Sequence, residues 1–259
     1  MLAWRVALFA LAGLLFGSFL TVLIHRLPRR EGVVRGRSRC PRCGAEIRAR
    51  DNVPVVSWVV LRGRCRSCGE RISPEYPLIE LGTAALFAGA ALAFDDLIVA
   101  LLVAPFLGLM LAIGLIDARW RIVPNAIVYP ALGIYLVALV VVQLTGGGAS
   151  AVRGLLGLAV YAGPLFLLAL AVPGGMGMGD VKLAAVIGLV LGSLGLAYVG
   201  VAAGAGILAG GLGAILAMAV LGYRRRQQIP FGPFLAAGAV VAAFAAPAIS
   251  RLYLSFLGL

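Results

Sequence analysis

Eight apolar stretches, most of them about as long as a bilayer is thick, constrain this chain more than any other feature. A helix needs roughly 20 apolar residues to cross the ~30 Å hydrocarbon core of a membrane. The stretches run over 3–24, 77–94, 97–116, 125–144, 153–172, 180–196, 197–223 and 231–256. Residues 183–221 contain no charge. As one helix they would far exceed the bilayer, so they divide into two spans. Hydrophobic residues make up 62% of the 259 positions and charged residues 12%. Soluble domains carry roughly 45–50% and 25%. The expected fold class is therefore all-α integral membrane: a polytopic bundle of about eight transmembrane helices. The first stretch is followed by His25, Arg26, Arg29 and Arg30 and by no small-residue cleavage site. It is expected to be a retained helix that stops translocation, and not a signal peptide.

The net charge is +12, and 13 of the 22 Lys and Arg residues lie between Arg26 and Arg71. Such a basic segment beside apolar runs faces the cytoplasm and anionic lipid. Nucleic acid is not expected as a partner, because the segment has no array of stacking aromatics. This orientation puts Arg119, Arg121, Lys182 and the arginines at 224–226 on the cytoplasmic side as well. The Asp95–Asp96 turn, the Gly146–Ser150 loop and both chain ends fall opposite. Three parts follow: a first transmembrane helix over 1–24, a cytoplasmic cysteine loop over 25–76, and a multi-helix membrane part over 77–259. The sequence specifies no oligomeric state.

All four cysteines lie in that loop, as Cys40-Pro-Arg-Cys43 and Cys65-Arg-Ser-Cys68, with 21 residues between the pairs. Paired Cys-x-x-Cys knuckles at about this separation are a zinc-ribbon spacing. Gly44 and Gly69 follow the knuckles, where a tight turn favours a residue without a β-carbon. Two disulfides or a redox dithiol are the alternatives, and a reducing compartment disfavours the first. A structural zinc held by four thiolates has no open position for catalysis. It would supply folding energy to a loop too small for a core of its own.

Ten acids are present, and eight of them lie in or just after the loop or in the Asp95–Asp96 turn. The other two, Asp117 and Asp180, stand at the cytoplasmic ends of apolar stretches. Acids at membrane helices are costly and therefore candidates for function. Asp180 lies in Gly177-Met178-Gly179-Asp180-Val181-Lys182 at a helix start, where it could equally be an N-cap. Asp117 ends the third stretch, where an acid opposes the helix dipole; a pair with Arg119 or Arg121 is its bland alternative. Two neighbouring carboxyls share a proton, so one activates water while the other polarises a carbonyl. Gly177 and Gly179 would admit an extended substrate strand, and Lys182 would contact substrate or lipid phosphate, or simply anchor at the interface. His25 is the only histidine, which excludes a paired-histidine metalloprotease. A transporter with the two acids as proton relays is the competing class, and it would favour acids nearer the bilayer midplane.

The chain resembles the type IV prepilin peptidases along nearly its whole length. The resemblance is carried by Gly17-Ser18-Phe19-Leu20, His25-Arg26-Leu27-Pro28, the four cysteines, Asp51-Asn52-Val53-Pro54 and Tyr76-Pro77-Leu78-Ile79-Glu80. It continues through Asp117 with Pro124 seven positions on, Gly177-Met178-Gly179-Asp180, and Pro230-Phe231-Gly232-Pro233. Thr21 and Asn125 depart from the usual pattern. The resemblance implies that Asp117 and Asp180 are the catalytic pair of a Gly-x-Gly-Asp membrane aspartic protease. It implies cleavage of the basic leader of prepilins and pseudopilins at the bacterial inner (cytoplasmic) membrane. It also implies N-methylation of the new terminus with S-adenosylmethionine, an activity associated with the cysteine loop; a peptidase without that activity is the narrower alternative. No glycine fingerprint marks a site for that cofactor.

Overall fold

The computed structural model describes residues 2–33, 38–172, 176–221 and 230–256. Its helices are α1 (Leu2–Arg26), α2 (Val56–Val60), α3 (Glu75–Ala93), α4 (Leu97–Trp120) and α5 (Asn125–Leu144), then α6 (Ala151–Ala171), α7 (Met178–Leu194), α8 (Leu196–Leu221) and α9 (Gly232–Phe256). Among the described residues there is no strand, only isolated bridges in the loop. Each of the eight apolar stretches is one long helix. Among the described residues, seven helices are long and apolar enough to cross a membrane.

The exception is α7, with 17 residues. It is also the most enclosed helix, touching α4, α5, α6, α8 and α9. Leu183, Ala184, Val186, Ile187 and Leu191 on it are fully buried. A helix sheathed by other helices need not match the lipid thickness, because its partners do so. Around it, α1 packs on α3 and α8 on α9, while α4 bridges α1, α3 and α9.

Most boundaries shift by one or two residues from those expected, and two of the differences bear on the site and the packing. Helix α4 continues past 116 to Trp120, so Asp117 lies inside its last turn. It stops where Arg121 takes the left-handed conformation (φ 54°) and returns its N–H to the Asp117 carbonyl at 2.9 Å. Helices α7 and α8 part at Gly195, two residues earlier than expected. Its φ of 154° and ψ of 150° belong to a region essentially confined to glycine.

Successive reversals put the ends of α1 and α4 and the starts of α3, α5, α7 and α9 on the face that carries the cysteine loop, here the loop face. The basic cluster at 224–226 lies outside the described residues. At the opposite face Asp96 caps α4 through the N–H groups of Ile98 and Val99, and Arg5 reaches the Phe94 and Asp95 carbonyls.

Helices α6 and α7 meet backbone to backbone. A β-carbon on Gly157 would stand 2.3 Å from the Gly188 carbonyl oxygen and 2.6 Å from Gly192 Cα. Gly188 and Gly192 are four apart on one face of α7, the small-residue spacing that lets membrane helices approach closely. Gly188→Leu is expected to force this pair apart and to exceed the ~1–3 kcal/mol of ordinary overpacking, since backbone cannot yield. Gly163→Leu on α6, where nothing lies within 4 Å, is expected to be tolerated. Thermal unfolding midpoints in detergent compare the two.

Candidate active site

Asp117 is 5% exposed, on the last turn of α4. Its carboxylate Oδ2 accepts the backbone N–H of Gly232 at 3.1 Å. Gly232 is the first residue of α9, where N–H groups have no partner within the helix and favour an anion. A β-carbon on Gly232 would lie 2.6 Å from Asp117 Oδ2. Only glycine lets the two helix ends come this close. Among the described residues neither Arg119 nor Arg121 forms an ion pair with Asp117: Arg119 pairs with Glu75, at the start of α3. The bland reading of Asp117 as half of a surface ion pair therefore fails.

Asp180 is partly buried and is the third residue of α7. The N-cap position belongs to Gly177, so Asp180 is not the cap; its own N–H donates to the Gly177 carbonyl at 3.0 Å, and a β-carbon on Gly177 would lie 3.4 Å from its carboxylate Oδ2. A β-carbon on Gly179 would lie 3.0 Å from the Val123 side chain. The start of α7 is thus pressed onto the turn between α4 and α5. That contact brings the two acids to one cleft. Both line one cleft of about 310 Å³, together with Gly177, Gly179, Arg121 and Lys182. Lys182 has a defined place: its Nζ donates to Asn125 Oδ1 at 3.0 Å and stands 5.2 Å from the centre of the Tyr129 ring. It ties α7 to α5. Chemically, the cleft offers two carboxyls, one held by the Gly232 N–H and the other in the first turn of α7, beside two cations.

The four cysteine sulfurs lie within 4.8 Å of one another, and Cys40 and Cys68 are 3.8 Å apart. Metal–sulfur bonds of about 2.3 Å in a tetrahedron require sulfurs about 3.8 Å apart. The four sulfurs form one cluster and not two disulfide pairs. The knuckles repeat one pattern. Gly44 N–H donates to the Cys40 carbonyl and Gly69 N–H to the Cys65 carbonyl, each at 2.9 Å, with both glycines at φ near 70° (72° and 71°). N–H groups of Cys43 and Arg42 bring the Cys40 thiol down to about 7. The Glu70 N–H favours a Cys68 thiolate too, but burial and the sulfurs of Cys43, Cys65 and Cys40 push that thiol up to about 12. Four sulfurs this close cannot all shed protons without a cation between them. The donor set and its spacing fit a metal ion.

Other members of the sequence motifs hold the loop in place. The Arg66 guanidinium grips Asp51 through both carboxylate oxygens (2.9 and 2.6 Å) and holds its carboxyl below the usual range. His25 stacks on Tyr76 with ring centres 5.0 Å apart, joining the end of α1 to the start of α3. Two residues of the site region were not singled out from sequence. Gly232 was signalled only by its place between prolines at a helix start. Glu80 is 7% exposed and accepts the Val55 N–H at 2.7 Å. An acid five residues into an apolar helix was the available signal.

Comparison with known proteins gives the chain a family. Residues 11–94 match a family model described as the bacterial peptidase A24 N-terminal domain, and residues 104–223 one described as the type IV leader peptidase family. A prepilin leader peptidase/N-methyltransferase of Bacillus subtilis is 34% identical, aligned over 93% of this chain and 95% of its own. Proteins of the same description are 36% identical in Pseudomonas aeruginosa (96% and 93% covered) and 35% in Burkholderia pseudomallei (93% and 85%). The chain belongs to the type IV leader peptidase family. No solved structure matches it. The cysteine cluster falls within the first matched segment and both aspartates within the second, while Gly232 lies beyond both.

Purified protein is expected to carry one metal ion per chain, and Cys40→Ser or Cys65→Ser to lose it. Elemental analysis of the intact membrane protein reads this directly.

Proposed function

We propose that this protein is a membrane-embedded aspartic endopeptidase that removes the leader peptide of prepilins and pseudopilins and then methylates the new N-terminus. The observation that carries the reading is the shared cleft of Asp117 and Asp180 at the membrane face, in a chain of the leader peptidase family. The relatives' descriptions name both activities.

The substrate's apolar helix lies in the bilayer among the enzyme's helices, and its leader stays at the loop face. The scissile bond is unwound there, since helical carbonyls are already hydrogen-bonded. Gly177 and Gly179 line the strand's path. One carboxyl of the pair is ionised and takes a proton from water as the water oxygen attacks the carbonyl carbon. The other is protonated and donates to the carbonyl oxygen. Collapse of the tetrahedral species breaks the C–N bond, and the amine leaves with the proton first taken from water. The N–H of Gly232 keeps the Asp117 carboxyl oriented through this exchange.

The ion among the four cysteines is zinc, structural and without a free coordination position. S-adenosylmethionine supplies the methyl group when bound. The described residues present no glycine-rich nucleotide-binding turn, so no step here is routed through it. Residues 1–24, 25–76 and 77–259 serve as first membrane helix, metal lobe and peptidase part. The protein resides in the bacterial cytoplasmic membrane with the loop face inward, where 13 basic residues between Arg26 and Arg71 meet anionic lipid. The transporter reading loses ground because both acids lie at helix ends, away from the midplane.

The deciding experiment is cleavage of a prepilin in liposomes by the native enzyme, Asp117→Asn and Asp180→Asn. Each change keeps size and removes an acid. Each is expected to lower the rate by at least about 10²–10⁴-fold, the range of general acid–base catalysis. Retained cleavage in both variants overturns the reading. Gly232→Ala keeps both acids but pushes the Asp117 carboxylate aside; a displacement of about 1 Å is expected to cost about 10²-fold in kcat.

A further inference from the structure

The short helix α2 belongs to the cysteine loop, yet its exposed face is apolar. Val56, Val59 and Val60 occupy positions i, i+3 and i+4 and therefore share one side. They are 56%, 60% and 68% exposed. The opposite side is tied down. Ser57 is buried and accepts the Val53 N–H at 2.9 Å, and Trp58 donates its indole N–H to the Ile72 carbonyl at 3.2 Å. Val53, just before the helix, is exposed as well. Four apolar side chains on one small surface of a polar loop call for a partner.

The depth of this surface identifies the partner. The chain enters α2 through Val55, whose φ of 60° and ψ of −50° form a tight three-residue turn closed by the Val56 N–H on the Pro54 carbonyl at 2.6 Å. A β-branched residue is rare in that conformation. It is held by Glu80, which accepts the Val55 N–H from inside the bundle. Glu80 is packed against α1: its Cα would be 2.8 Å from a β-carbon on Gly17. Its neighbours on α3, Leu78 and Leu81, are 64% and 50% exposed. Helix α3 is a membrane-crossing candidate, so at this height it faces lipid. The Glu80 hook thus draws α2 down beside the lipid-facing part of a membrane helix. Exposed arginines flank the apolar face on both sides, Arg48 and Arg50 before it and Arg62 and Arg64 after it. That arrangement suits the headgroup boundary, with apolar side chains below and cations at phosphate level.

We propose that residues 53–60 form an interfacial membrane anchor, with Val53, Val56, Val59 and Val60 seated in the lipid just below the headgroups. The cysteine lobe then lies flat on the membrane, joined to it by the Glu80 hook and by this face. The proposal rests on the membrane-spanning reading alone and not on the chemistry at Asp117 and Asp180.

The test replaces Val56, Val59, Val60 or, as control, Arg42 on the first knuckle with p-benzoylphenylalanine in the full-length protein. Each variant is reconstituted in vesicles of phosphatidylethanolamine and phosphatidylglycerol and irradiated, and adducts are identified by mass spectrometry. Retained metal content identifies variants whose lobe is folded, and three separate positions keep one misfolded variant from deciding the result. Lipid adducts at the three valine positions and none at Arg42 are expected. Three outcomes overturn the proposal: no lipid adduct at any of the three, equal yield at Arg42, or crosslinks to a second copy or to an added prepilin in place of lipid. No catalysis is read, so failure of the peptidase reading leaves the result intact.

Discussion

The hydrogen bond from Gly232 to Asp117 is where three helix ends become one site. A membrane helix can carry a carboxylate cheaply only at its ends, where backbone N–H groups and water replace the solvent that the bilayer removes. Asp117 lies at the end of α4, whose own dipole opposes a negative charge. The start of α9 answers that cost with an N–H at 3.1 Å. Asp180 stands in the first turn of its own helix, where backbone N–H groups favour an anion. The two acids are thus held by different helices, and their meeting depends on glycines that let backbones approach. Gly179 against Val123, Gly188 and Gly192 against Gly157, and Gly238 against Ala202 and Gly206 are contacts of this kind. In lipid the hydrophobic effect does not drive helices together, so such close packing is what fixes the geometry.

The cysteine loop solves a different problem. It has almost no apolar interior: Cys40 and Ser57 are among its few buried residues. Its order comes from local polar devices, namely the paired knuckles, the Asp51–Arg66 fork and the Trp58–Ile72 bond. A metal ion among the sulfurs would link the two halves, and Glu80 links the whole to the membrane part through the Val55 N–H. Loss of either link would leave a folded bundle beside a loosened lobe. Metal content and peptidase activity can therefore separate in a variant.

Much of this was legible in the sequence, for physical reasons. Run length and charge reveal membrane helices because the bilayer imposes a thickness and a polarity. Cysteine spacing reveals the knuckles because two ligands must fit on one turn. The end of α4 was misplaced because a polar residue reads as the close of an apolar run, whereas the helix hydrogen-bond ladder continues to Trp120. Asp180 could be placed at a helix start, but not assigned to the third position, because glycines at 177 and 179 offer no sequence signal for which is the cap. The meeting of Asp117 with Gly232 spans 115 positions. No local pattern encodes such a contact. Glu80 was counted among loop acids because its burial depends on Gly17, on another helix.

The placement of the lobe bears on how one enzyme could perform two reactions in order. In the proposed function, cleavage releases an amine at the depth of the Asp117–Asp180 cleft. That amine is joined to an apolar helix and cannot move far into water without drawing the helix out of the bilayer. A second site on a lobe projecting into the cytoplasm would have to wait for that costly movement. A lobe hooked at Glu80 and seated on the membrane by α2 needs no such movement, since the product only shifts sideways along the interface. The strained turn at Val55 is intelligible on the same ground: a conformation rare for valine would let the lobe descend to where the proposed product is confined.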